Sequence, residues 1–263
     1  MYNLSEITAK TLAALKENGA EKAACTARFV ETHEFNVDGG EFSLFRTLFD
    51  NSLSMTAICE KKKGSVGINR FDSEAIENAA KDCAAIAASG EPDEAWDFAD
   101  GEAHAPTENG AVEPDTDRFF DRTRELMEDI RARHPKILME QMIVTHKKVH
   151  AVYRNSKGVC FDTTEGCYAV ELMFSAHEGD KTSSFFGTGV ITDSLDTPFI
   201  ELGSIEQDLT DVEKQLDDHG EVESFFNIFT YETRYPNIHL FSAENFDVKD
   251  NDFIQYRLLF AGG

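Results

Sequence analysis

Positive charge is what this chain lacks most: 25 Lys and Arg stand against 49 Asp and Glu, a formal net charge of −24 over 263 residues. A polyanion of this size is repelled by nucleic-acid phosphates and by anionic lipid unless a local basic patch intervenes. The only basic run is Lys61-Lys62-Lys63. It reads as a solvated hairpin turn rather than a phosphate clamp, so no nucleic-acid partner is expected. Nor is there any run approaching the ~20 apolar residues that span a bilayer, and the opening MYNLSEITAKTLAALKENGAEKAA has no apolar stretch of the signal-peptide kind. The expectation is a cytoplasmic protein with no membrane partner. Cysteine is sparse and odd in number (Cys25, Cys59, Cys83, Cys160 and Cys167) and sits among apolar neighbours. This favours reduced, buried thiols over a disulfide framework.

Catalytic signatures are also missing. A zinc peptidase needs two imidazoles at helical spacing and a carboxylate placed to take a proton from the metal-bound water. His177-Glu178 is followed by Gly-Asp-Lys-Thr, which supplies no second His, and the stretch reads as a strand and turn. His146 and His150 are four apart but lie in strand-like sequence, where that spacing separates them by about 13 Å. Cys160 and Cys167 lack metal-ligand spacing. Ser156 lies in Asn-Ser-Lys-Gly, a turn rather than a nucleophile elbow. Gly187-Thr188-Gly189 lacks the third glycine and the following helix of a dinucleotide loop. The expectation is therefore no catalytic residue, no metal ligand and no cofactor in this chain.

What is present is an ordered alternation of helix and strand patterns. At 41% hydrophobic, the chain can build one large core or two ordinary ones. Ser5 can cap a first helix over residues 5–16, with Asn18-Gly19 ending it. Strands are predicted over 25–37, 41–51 and 54–61, the first pair joined at Asp38-Gly39-Gly40. After the Lys-Lys-Lys-Gly turn, 67–69 leads to a helix capped by Asp72 or Ser73 and running to about 88. Ile76, Ala79, Ala80, Cys83, Ala84, Ile86 and Ala87 give it a small-residue face for close packing on a sheet. Residues 91–115 are acidic and broken by Pro92, Pro106 and Pro114, the pattern of a linker or a surface-draped loop. A third helix is predicted over 116–133, stopped by His134-Pro135. Strands over 137–145, 148–155, 159–164, 167–178 and 181–192 form a meander, and a last helix covers 204–218. The expected fold class is α+β. An N-terminal helix–antiparallel strands–helix domain (1–90) is joined by an acidic linker (91–115) to a helix plus antiparallel β-meander domain (116–220). An atypical Phe- and Asn-rich segment, 221–263, follows: either it docks back as edge strands, or the chain is a truncated or altered version of something longer, the reading favoured here.

The stretch from Glu41 to Gly90, punctuated by Arg46, Gly64, Gly67, Asn69, Asp72 and Ile76, resembles the N-terminal domain of the TldD/PmbA metallopeptidases, the modulator-of-gyrase family. The run VHAVYRNSKGVCFDTTEGCYAVELMFSAHEGDKTSSFFGTGV is similar to that family's middle region, with Arg154, Asn155, Ser156 and Gly158 at the matching positions. The likeness covers residues 5–215. It implies a two-subunit assembly that trims peptides inside a closed chamber, with zinc on a HExxxH helix of one subunit type. This chain has no HExxxH and resembles the PmbA type. The resemblance implies a TldD-like HExxxH-bearing partner that carries the zinc, an unfolded or extended peptide as substrate, and no convincing version of the family's C-terminal domain here. Arg46, Asn69, Arg154, Asn155, Ser156 and Gly158 are the structural or peptide-groove candidates. A non-enzymatic peptide- or protein-binding module on the same fold stands as the alternative, and a small-molecule hydrolase using unrecognised carboxylates as a third.

Overall fold

A computed structural model describes residues 2–217 of the chain; the segment expected at 221–263 lies outside the described residues. In chain order the elements are α1 (Leu4–Glu17), β1 (Lys22–Asp38), β2 (Glu41–Cys59), β3 (Lys62–Ile68), α2 (Ser73–Ser89), β4 (Thr107–Gly110), α3 (Thr116–Arg133), β5 (Ile137–Asn155), β6 (Cys160–Glu178), β7 (Lys181–Thr182), β8 (Phe186–Thr192), a 3-10 turn (Phe199–Glu201) and α4 (Ile205–Lys214). The fold is α+β, as expected. Its sheet has the order β3-β2-β1-β5-β6-β4, with β7 and β8 also paired to β6. All pairings are antiparallel except the short parallel one between β4 and β6.

The helices start where short polar side chains can accept the free N–H groups of a first turn. Asn3, not Ser5, caps α1: its Oδ1 accepts from Glu6 N at 3.1 Å. The Ser5 hydroxyl instead accepts from Arg154 Nη2 at 3.0 Å. Asp72 caps α2 and Asp115 caps α3, each accepting from the backbone N–H three residues on.

The helices cover one face of the sheet in two separate patches. Near one end, α1 and α2 bury Ala23, Cys25 and Ala27 of β1 and Leu53, Met55 and Ala57 of β2. Near the other, α3 and α4 bury Phe35 and Val37 of β1, Met142 and Val144 of β5, and Val170, Leu172 and Phe174 of β6. The first patch uses the small-residue face of α2 (Ile76, Ala79, Ala80, Cys83 and Ala87), but Ile86 is exposed rather than part of it. Close approach is enforced at Gly64, where an added Cβ would lie 2.2 Å from the Cys83 carbonyl oxygen and 2.5 Å from Ala87 N. Gly64 therefore sits inside β3, beneath α2. The hairpin turn is Glu60-Lys61, both at positive φ, not the Lys-Lys-Lys-Gly stretch.

The strands run longer than their sequence pattern predicts. Residues 41–51 and 54–61 merge into β2, 137–145 and 148–155 into β5, and 159–164 and 167–178 into β6. The expected interruptions at Ser52, His146-Lys147 and Glu165-Gly166 are paired in register like the rest: Ser52 with Arg28, His146 with His33 and Tyr168, Gly166 with Lys148. Polar residues there do not mark turns, because neighbouring strands satisfy the backbone groups on both sides. The last expected strand does break, into β7 and β8.

The cysteines are free, and Cys25, Cys83 and Cys160 are buried. Burial pushes the Cys25 thiol up to about 12, so it is a packing group rather than a nucleophile. No helix among the described residues is long and apolar enough to cross a membrane.

Candidate functional site

Strand alternation places every second residue of β1 on the helix-bearing face. Ala23 to Ala27 serve one core and Phe35 and Val37 the other, which leaves Phe29, Glu31 and His33 between them on the same face. The pairing register extends this band across the sheet. β2 contributes Thr47 and Phe49, β5 contributes His146, Lys148 and His150, and β6 contributes Asp162 and Thr164. The result is a trough whose floor is the sheet and whose sides are the two helical patches. Two ionisable residues of β1, three of β5 and one of β6 share it.

The floor is held by internal hydrogen bonds. His33 Nε2–H donates to Glu31 Oε1 at 2.9 Å, and its Nδ1 lies 3.1 Å from the Thr47 hydroxyl. His150 Nε2 is 2.9 Å from Asp162 Oδ1. His146 is fully buried. Its Nε2 lies 2.6 Å from the Ala111 carbonyl oxygen, which can only accept, so the proton is on Nε2. Nδ1 is then a buried acceptor with no hydrogen-bond partner among the described residues. Burial, with a smaller push from His33 beside it, holds the His146 imidazole below its usual range, so it is neutral near pH 7.

Aromatic groups line both sides. Tyr2 packs on Phe29 and Phe71, and Phe29 stacks on Phe49 at 5.9 Å between ring centres. Opposite them, Phe35 touches Phe45, Phe119 and Phe120. At the β6 end, β4 and the residues after it close the trough. Ala111 N donates to the Gly166 carbonyl at 2.8 Å, and Glu113 pairs with Lys148. At the β2 end no strand follows among the described residues, because β3 pairs only with Leu53–Cys59.

Zinc, which the resemblance assigns to one subunit type, does not fit these residues. The described residues hold no group of three His, Cys, Asp or Glu arranged to bind a metal. His146 and His150 lie in β5, a strand as the sequence predicts, and both imidazoles of the closer pair, His33 and His146, already use ring nitrogens internally. The trough holds imidazoles paired with carboxylates, His33 with Glu31 and His150 with Asp162. Its chemistry is that of binding: alternating acid, imidazole and ammonium groups between aromatic sides suit an extended polar chain.

The six sequence candidates separate into two groups. Arg46 and Asn69 lie on the β2–β3 side of the sheet. Arg46, on the helix-free face of β2, reaches the buried Glu34 carboxylate at 2.9 Å. Asn69 lines an open cleft of about 660 Å³ beside α2 with Ser52, Ile68, Asn78 and Asp82. The other four cluster at the turn between β5 and β6, where Asn155 and Ser156 hold the backbone. Asn155 Oδ1 accepts from Lys157 N and Val159 N at 3.0 and 3.1 Å. Ser156 Oγ accepts from Ala23 N at 3.0 Å. Gly158 has φ +97°, and an added Cβ would meet the Gly101 carbonyl oxygen at 2.5 Å. Arg154 reaches Ser5. None of the six lies on the trough floor. One trough residue left a signal in the sequence: His146 is part of the polar interruption of β5, which turn chemistry alone misreads as a strand end.

No family model and no curated protein matches the sequence. Solved structures do match in fold. TldE from Thermococcus kodakarensis superposes with a TM-score of 0.63 at 14% identity, over 80% of this chain and 47% of that one. A proposed modulator of DNA gyrase from Bacteroides thetaiotaomicron gives 0.63 at 15% identity, over 81% and 50%. Another from Thermotoga maritima gives 0.55 at 11%, over 81% and 46%. The chain thus has the fold seen in these proteins and spans about half of their length.

Proposed function

We propose that this chain is a PmbA-like subunit of a TldD/PmbA-type peptidase system. It is the member without a HExxxH helix, works beside a HExxxH-bearing partner that holds the zinc, and contributes a wall of the chamber in which peptides are processed. The observation that carries the reading is the trough: a polar floor with aromatic sides, partly exposed around the buried His146 and lying between two helical patches on a fold shared with TldE. An unfolded peptide laid across it would meet hydrogen-bonding groups at every strand, whereas a folded protein would be kept out by the helices on either side.

The test has two parts. An unfolded, labelled peptide is titrated with the chain, and then with a Thr164→Trp variant that fills the floor. Binding weakened about tenfold or more by that substitution is expected; equal affinity for both sinks the trough as the binding site. The chain is then mixed with a HExxxH-bearing relative from the same source. A stable complex with chelator-sensitive cleavage only in the mixture is the expected outcome. Binding without complex formation would favour the alternative reading, a peptide-binding module that acts without a peptidase.

A further inference from the structure

Val170, Leu172 and Phe174 of β6 face the helices, so the alternating residues that follow, Ser175 and His177, share the opposite face. There the two side chains are in direct contact. Ser175 Oγ lies 2.9 Å from His177 Nε2. The other ring nitrogen, Nδ1, is 3.3 Å from the Thr182 hydroxyl on β7. With the Ser175 O–H donating to Nε2, the ring proton sits on Nδ1 and the Thr182 oxygen accepts it, which fixes tautomer and orientation together. A nucleophile, a base within hydrogen-bond reach of it and a third group that orients the base are the parts that covalent hydrolysis needs. Backbone pairing holds all three. Ser175 sits opposite Leu138 of β5, His177 sits opposite Thr182, and His177 N donates to the Lys136 carbonyl at 2.8 Å. A bulge in β5 adds a carboxylate: Glu140, its extra residue, has Oε1 3.4 Å from the same hydroxyl. The imidazole is the nearer acceptor.

We infer that Ser175 and His177 form a nucleophile–base dyad that hydrolyses carboxylic esters with an apolar acyl group. The apolar preference comes from the surroundings of the hydroxyl. Leu138, across the strand pair, and Met173, two residues before, are exposed on the same face. Phe185 is exposed in the short break between β7 and β8, two residues beyond Ser183, whose N–H donates to the Ala176 carbonyl at 2.9 Å. Ser175 is buried and His177 is open to solvent. In the first step Oγ bonds to the acyl carbon as its proton passes to Nε2. The bond from that carbon to the alkoxy oxygen then breaks, and the departing alkoxide takes the proton from Nε2. In the second step water attacks the acyl carbon, and Nε2 takes its proton and returns it to Oγ as the acid leaves. Ester and water become acid and alcohol, and the dyad is restored. The Glu140 carboxylate, beside the same hydroxyl, offsets the positive charge that the ring carries within each step.

The full chain is incubated with p-nitrophenyl butyrate, and nitrophenolate is followed from the first turnover. A burst of about one equivalent ahead of slower turnover is expected, because the acyl-enzyme forms faster than water clears it. Ser175→Ala and His177→Gln should each lower kcat/KM about a hundredfold or more, with the circular dichroism spectrum unchanged. Thr182→Val removes the positioning hydroxyl and should lower kcat about tenfold at constant KM, and Thr182→Ser should restore it. A fluorophosphonate should label Ser175 in the parent chain and not in His177→Gln. Hydrolysis no faster than in buffer overturns the inference. So does a Ser175→Ala variant as active as the parent, including one in which only His177→Gln is inactive, since the imidazole would then act alone. Each of these results leaves peptide binding in the trough, on the other face of the sheet, untouched.

Discussion

The two halves of β2 share a strand, a partner and an alternation pattern, yet only one half is core. Leu53, Met55 and Ala57 are almost wholly buried under α2, with β3 paired alongside. Phe45 and Phe49, on the same face, stand open to solvent. The difference lies in what the rest of the chain lays on top. Period-2 alternation reports which residues share a face, not whether that face is covered. Near-absence of charge runs through both halves, so it does not by itself tell covered surface from open surface.

A matched pair of substitutions breaks this comparison most directly. Leu53→Ala leaves a cavity under α2 and should cost about 3 kcal/mol, while Leu48→Ala should change the stability of the subunit by less than about 0.5 kcal/mol. Urea denaturation of both variants at low protein concentration reads the two numbers, and similar losses would mean that the outer half is packed after all. The open face of the outer half has one internal anchor. Arg46→Ala strips the buried Glu34 of its guanidinium and should cost about 1–2 kcal/mol, since half of the arginine already faces solvent. Arg46→Lys should recover part of that loss in the same assay.

The smallest effect concerns pH and the trough between the halves. Because burial depresses the His146 pKa in the folded chain, the unfolded chain binds the proton more readily. Stability is then full above the ordinary histidine value near 6.5 and falls as pH drops below it toward the folded value. His33, Glu31 and Lys148 face His146 and set the background. Denaturation midpoints between pH 8 and pH 5 should slope less in His146→Gln, which keeps an N–H for the Ala111 carbonyl, than in the parent chain. Identical slopes would remove His146 from the account.

Much of the architecture was legible because helices announce themselves locally. Asp72 and Asp115 cap their helices through chemistry written within three residues, and Pro135 ends α3 by a local clash. The α+β class and the likeness to the TldE fold followed from the order of such elements. The trough was not legible, because its definition is non-local. Glu31 and Lys148 become neighbours only through a register that ties residues more than a hundred positions apart, and Asp162 reaches His150 only through the pairing of β5 with β6. Turn chemistry explains Asn155 and Ser156, which bond to backbone close at hand or across one strand, and so the sequence pointed to the turn and not to the floor. Arg46 was found, but its buried partner Glu34 required the hairpin register to be known.

The separation between β2 and β5 also has a meaning in time. β1 needs β5 along its other side, yet roughly a hundred residues of chain lie between the end of β2 and the end of β5. At the usual pace of synthesis this is about 5–20 s. Through that interval the nascent β1–β2 hairpin has two unpaired edges, one of them aromatic. A ribosome carrying this chain therefore holds exposed aromatic side chains on an incomplete sheet for that interval.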